Sequence, residues 1–253
     1  MSRPRILDVA VRQRAALRET EHRPWPLRQG SWLVAQTWES SLFAHWPVEP
    51  DAVRALLPDG LEVELHDDTA WLGVHAFRVE SVRIHGTLPV PWISSFSQLN
   101  VRTYVRDGRK SGIWFFSLDT PSSLAAETAK LVYRLPWHTC RLEIRERSGR
   151  LEVSAARSEG RAFAARCSAR GTPAPAEPGT LEQFLFERYC LYAKDGGRLQ
   201  RAELHHRPWL VQPALGAVEL CTIGPPELAL PSEPPLLHVA ATQDALAWSL
   251  EPV

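Results

Sequence analysis

Strand-like segments, alternating with period two at Leu61–Leu65 and of mixed pattern elsewhere, fill much of the chain, and Gly, Pro, Asp and Ser separate them. Residues 5–20 (RILDVAVRQRAALRET) are the first exception. Ile6, Val9, Ala10 and Leu17 share one helical face, arginines cover the rest, and Pro24 and Pro26 end the segment. Strands are predicted over 31–46, 61–65 and 69–82, with a short helix after Pro50 that turns Val53, Leu56 and Leu57 inward and closes at Pro58-Asp59-Gly60. Residues 85–97 read as a long loop. Strands 98–106 and 112–119 flank Asp107-Gly108 as a hairpin. A helix then runs to about Tyr133, capped by Asp119 or Thr120 with Pro121 in its first turn.

Strands 138–147, 150–157 and 161–169 form a meander with turns at Ser148-Gly149 and Glu159-Gly160, and 171–179 is a Pro-rich connector. Thr180-x-x-Gln183 is a capping box opening a helix to about Ala193. Gly196-Gly197 leads into strand 198–206, and after a Pro-rich stretch at 225–235 the chain ends in a hairpin. Consecutive antiparallel strands with few helices give an α+β class and exclude a doubly wound parallel sheet. The expected organisation is an N-terminal helical extension over 1–23 and a single domain over 24–253.

Composition narrows the functions. The 253 residues carry 29 Lys+Arg against 29 Asp+Glu, and this balance excludes a general nucleic-acid binder held by phosphate attraction. No apolar run reaches the ~18–20 residues of a membrane span, and no secretory pattern opens the chain, so no membrane partner and a cytoplasmic location are expected. The Arg-rich first helix could touch a membrane or partner; docking on its own domain is the plainer expectation. Only Lys110, Lys130 and Lys194 are available for imine chemistry. Cys140, Cys167, Cys190 and Cys221 form no Cys-x-x-Cys pair and read as reduced core residues. No nucleotide, nucleophile-elbow or zinc-protease motif is present, and no metal or other cofactor is expected.

Candidate chemistry sits on the hairpin. Asn100, Arg102 and Tyr104 share one strand face, and Phe115, Ser117 and Asp119 share one on the partner strand. Those faces either meet water or line a polar cavity in which Arg102 takes a carboxylate or carbonyl ligand. Glu187 and Arg188 lie in the late helix, as an ion pair or a catalytic carboxylate. His205 and His206, adjacent on a strand, face opposite sides and do not chelate one metal.

Three blocks carry a family resemblance: AQTWESSLFAHWPVEPDAVRALLPDGLEV at 35–63, SQLNVRTYVRDGRKSGIWFFSLD at 97–119 and FLFERYCLYAKDGGRLQRAELHHRPW at 184–209. They resemble the YqjF-like family, domain of unknown function 2071, of the acetoacetate decarboxylase-like superfamily. The resemblance implies an antiparallel cone-shaped β-barrel with flanking helices around an internal cavity. The decarboxylases keep their imine-forming lysine in a Gly-Phe-Pro-Lys-Lys segment. The matching stretch here is Arg134-Leu135-Pro136-Trp137-His138, without either lysine. The fold would then be kept and the lysine chemistry lost.

The expected function is binding of a small carboxylate or carbonyl compound. Asn100, Arg102, Tyr104, Ser117, Trp137 and His206 are the ligand-binding candidates. His138 would move a proton, with Asp119 or Glu187 orienting it. Such an enzyme would be an acid–base lyase, isomerase or hydrolase. A non-catalytic ligand-binding or scaffold protein is the alternative, and homo-oligomer formation stays open.

Overall fold

A computed structural model of the chain describes residues 6–89 and 95–253, so the first five residues of the expected extension and residues 90–94 of the expected loop lie outside the described residues. Helix α1 spans Ile6–Ala16, β1 Val34–Val48, α2 Pro50–Arg54, β2 Glu62–Val63 and β3 Ala70–Ile84. The predicted hairpin is β4 (Phe96–Arg106) and β5 (Ser111–Thr120), and α3 (Ser123–Tyr133) and β6 (Trp137–Thr139) follow. The meander is β7 (Arg141–Arg147), β8 (Arg150–Ala156) and β9 (Ala162–Ala169). Then come α4 (Leu181–Phe186), β10 (Cys190–Asp195), β11 (Arg198–His206), β12 (Gln212–Cys221), β13 (Leu236–Ala247) and β14 (Glu251–Pro252).

Sheet dominates, and its pairing is circular. Following hydrogen-bonded neighbours gives β11, β10, β5, β4, β3, β1, β13 and then β11 again. The seam that completes the circle is the parallel pairing of Leu191 with Ile113, joined by the antiparallel pairing of His205 with Leu246. Strands β12, β9, β8 and β7 form a second antiparallel layer hinged to β13 at Gln212↔Val239.

The period-two rule sorts the two faces. Leu42, Ala44 and Trp46 of β1, Leu72 and Val74 of β3 and Leu99 and Val101 of β4 pack outward against Leu142, Ile144, Leu151, Val153 and Phe163 of the second layer. Phe43 and His45, Gly73 and His75, and Asn100 and Arg102 point the other way, into the ring.

Several elements differ from their expected bounds. Strand β5 continues to Thr120 because β6 pairs beside it, Thr120 against Thr139. Helix α3 therefore starts later, with Ser122 Oγ accepting from Ala125 N at 3.2 Å, and neither Asp119 nor Thr120 is its cap. The N-cap of α4 forms, Thr180 Oγ1 accepting from Gln183 N, but the Gln183 side chain accepts from Gly179 N instead of Thr180 N, and the helix stops at Phe186. Beyond it Cys190–Asp195 is a strand that pairs with β5 and β11, so tertiary pairing overrides the helical pattern. The terminal hairpin is replaced by β14 pairing with β11. Helix α1 docks on its own chain: Arg12 grips Asp244 of β13, and Gln13, fully buried, donates to Thr37 and Ser81. No helix among the described residues is long and apolar enough to cross a membrane.

Candidate functional site

Every strand of the ring contributes to the lining of a cavity of about 110 Å³. Strands β1, β3 and β4 supply polar side chains, among them Gln36, His75, Gln98, Asn100 and Arg102. Strands β5, β10 and β11 supply Ile113, Phe115, Leu118, Leu191 and Leu204. Phe186 at the end of α4, His206 at the end of β11, and Arg188 and Trp209 just beyond them close it.

Arg102 is the centre of its electrostatics. It is buried, its guanidinium lies 5.6 Å from the centroid of Phe43, and its Nε has no hydrogen-bond partner. The chain's other buried arginines are provided for. Arg23 takes Glu203, Arg157 takes Asp119 through bonds of 2.6 and 2.8 Å, and Arg188 takes Glu64. Arg83 donates to Gln13 and the Ala10 carbonyl. Among the described residues Arg102 has no carboxylate or carbonyl partner, only the neutral Tyr104 hydroxyl beside it, and no carboxylate lines the cavity. A guanidinium taken out of water without a counter-charge costs several kcal/mol. Asn100 Oδ1, Trp137 Nε1 and the Tyr133 hydroxyl are further buried atoms of the lining residues without a partner.

The histidines beside Arg102 are neutral. Burial, then the charge of Arg102, holds His45 and His75 well below the usual imidazole pKa. His75 lines the cavity between Phe43 and Phe77, at centroid distances of 4.0 and 4.1 Å, and shares a hydrogen bond of 3.1 Å with Ser41. His45 shares one of 2.9 Å with Tyr104, whose phenol is pushed up chiefly by burial. Gly73 makes this approach possible, since a Cβ there would lie 3.0 Å from the His45 ring and 3.2 Å from the Tyr104 hydroxyl.

The sequence-selected residues divide into two groups. Asn100, Arg102, Trp137 and His206 come together around the cavity. Tyr104 shares their strand face and its hydroxyl lies beside Arg102, but it packs with His45, Phe184 and Arg188 and does not line the cavity. A β-bulge separates Ser117 and Asp119 from the site. The register runs Val101↔Ser117 and then Arg102↔Phe115, so Phe116 is the extra residue and the faces of β5 exchange there. Phe115 and Leu118 consequently line the cavity, while Ser117 donates to Asp119 and Asp119 is committed to Arg157.

His138, paired in register with Asp119, is exposed outside the cavity, its pKa lowered by partial desolvation and then by Arg157. Glu187 accepts from the Tyr189 hydroxyl and from Trp209 N at 2.9 Å, which fixes it as a loop anchor. His206 sits between two carbonyls, Arg188 O at 3.1 Å and Arg207 O at 2.7 Å, with Tyr189 stacked at 4.7 Å. Its pKa is lowered, burial outweighing Glu187.

His75 is the site residue that hydrophobic patterning overlooked. Its signal is its place between Gly73 and Phe77 on one face of β3. The lysines lie elsewhere: Lys110 pairs with Glu203, Lys130 pairs with Glu127 on α3, and Lys194 is exposed. No group of His, Cys, Asp and Glu able to hold a metal ion occurs among the described residues.

Comparison with known proteins places these features in a family and a fold. The family model DUF2071, described as an uncharacterized conserved protein, matches residues 35–244. The uncharacterized protein YqjF of Bacillus subtilis (strain 168) is 35% identical over 224 residues, covering 87% of this chain and 93% of the relative. Among solved structures, the enduracididine biosynthesis enzyme MppR complexed with pyruvate superposes with a TM-score of 0.63 at 12% identity, over 88% of this chain and 91% of that one. An acetoacetate decarboxylase from Legionella pneumophila gives 0.61 at 11% identity, over 92% and 93%. At these identities the structural matches establish the acetoacetate decarboxylase-like fold.

Proposed function

The chain belongs to the DUF2071 family, and from that premise we propose that it binds a small carboxylate inside the ring of strands, which we read as a cone-shaped β-barrel, with Arg102 as the anion anchor. The observation that carries this reading is the buried guanidinium of Arg102 without a counter-charge, beside a cavity to which no acid contributes among the described residues. A ligand carboxylate would supply that charge through paired N–H···O bonds. Asn100 would orient the ligand, and Trp137, Trp209 and Phe115 would exclude water from it. The pyruvate held by the enduracididine enzyme of like fold supports the ligand class.

No lysine lines the cavity among the described residues, which favours chemistry without an imine. Where turnover follows binding, His75 is the cavity group that can exchange a proton with the ligand, since both ring nitrogens of His206 face backbone carbonyls, and His138, Asp119 and Glu187 act from outside it or not at all. Binding without turnover is a second reading. It is favoured by the engagement of Asp119 with Arg157 and of Glu187 with Trp209, which leaves both carboxylates without a free role.

A thermal-shift screen of the wild type and Arg102→Met against acetate, butyrate, pyruvate, acetoacetate and succinate tests the proposal. A rise in Tm with at least one carboxylate, lost in the variant, is the expected result. Silence across the panel, or a rise retained in the variant, would overturn it.

A further inference from the structure

Most polar side chains of the strand lining come from three neighbouring strands, which also carry Val34, Trp38 and Phe77, whereas the facing strands are apolar apart from His206 of β11. Going round the ring, β4, β3 and β1 are consecutive and bear Gln98, Asn100, Arg102, His75 and Gln36. Strands β5, β10 and β11 are also consecutive and bear Ile113, Phe115, Leu118, Leu191 and Leu204. Arg102 and Phe115 are direct register partners, so the one uncompensated cation stands where the two linings meet. Arg188, the other cation of the lining, is neutralised by Glu64.

We infer that the ligand is a monocarboxylate with a short, saturated apolar tail, rather than a dicarboxylate or a compact keto acid. This rests on the reading of the cavity as a carboxylate site. One guanidinium without a counter-charge compensates one negative charge, and a second carboxylate turned to the leucine-rich wall would meet only the neutral Trp137 Nε1 and Tyr133 hydroxyl, with no cation to balance it. A tail along Leu118, Leu191 and Leu204 would gain by burial instead. The volume of about 110 Å³ is smaller than the ~150 Å³ engineered cavity that accepts benzene, which sets the tail at a few carbons.

The test is calorimetric titration of the full-length wild-type chain with acetate, propionate, butyrate, pyruvate and succinate at one ionic strength. Each added methylene should tighten binding about fourfold, so butyrate should bind roughly fifteenfold tighter than acetate. Butyrate should also bind at least about tenfold tighter than pyruvate or succinate. Pyruvate or succinate binding as tightly as butyrate, or a flat series from acetate to butyrate, would overturn the inference and leave the carboxylate site standing. Absence of binding by all five would remove both. The series needs no variant, so folding of a mutant does not limit it.

Discussion

Replacing Arg102 by Met should stabilise the ligand-free protein. Arg102 is 7% exposed, and what faces it among the described residues is the neutral Tyr104 hydroxyl and the ring of Phe43 at 5.6 Å, neither of them a counter-charge. That cation–π contact is worth about 0.5–2 kcal/mol. Replacement of buried charge by an apolar side chain of similar volume is often neutral or stabilising by ~1–4 kcal/mol even where the charge was paired, and here no pair is lost. The balance favours Arg102→Met by about 1–2 kcal/mol, and for a chain of this size each kcal/mol moves Tm by roughly 2–4 °C. Arg157→Met is the contrasting control. It strands buried Asp119, 0% exposed, and should cost about 3–5 kcal/mol. Urea unfolding of wild type and both variants without added carboxylate measures the difference. Loss of more than about 1 kcal/mol in Arg102→Met would refute the reasoning, because it would make Arg102 a structural residue with a partner already inside the fold.

Burial pulls the His205 pKa down to about 4, against about 6.5 in the unfolded chain, and His45 and His75 are also lowered. The unfolded state therefore binds more protons below pH 6.5, so the stability held above that pH should be lost progressively down to about pH 4. His205→Gln should flatten the loss in urea midpoints between pH 7.5 and 4.5, and an unchanged slope would remove His205 from the account. Gly112→Ala places a Cβ 2.6 Å from Cys190 Sγ and 2.8 Å from both Cys190 O and the Tyr192 ring, at the β5–β10 seam. It should destabilise by ~1–3 kcal/mol in urea unfolding; a neutral result would show a looser seam. His138→Gln, changing a side chain outside the cavity, should leave the carboxylate-induced rise in Tm unchanged, and its loss would return His138 to the site.

Local chemistry made much of the sheet legible. Asp107-Gly108, Ser148-Gly149 and Glu159-Gly160 marked turns that form, with Gly108 at φ +82°, Gly149 at +75° and Gly160 at +86°, a region open to glycine at no steric cost. Arg102 and Asn100 were found by alternation alone, because β4 runs without a break. On β5 the same rule pointed to Ser117 and Asp119, and the bulge at Phe116, marked by neither Gly nor Pro, sent both to the opposite face. The end of α4 was hidden for a related reason. Arg188 reaches Glu64 and Tyr189 packs on His206, so the chain turns to satisfy partners distant in sequence. Ring closure depends on Leu191 meeting Ile113 and His205 meeting Leu246, pairings that local patterning does not encode.

The claim that the interior binds a carboxylate through Arg102 is tested most directly by a crystal structure of the protein grown with butyrate. The account predicts a carboxylate in the cavity with both oxygens within hydrogen-bonding distance of the Arg102 guanidinium and its tail toward Leu118 and Leu191. Butyrate bound elsewhere, or a cavity filled by side chains with Arg102 turned onto a protein carboxylate, would contradict it.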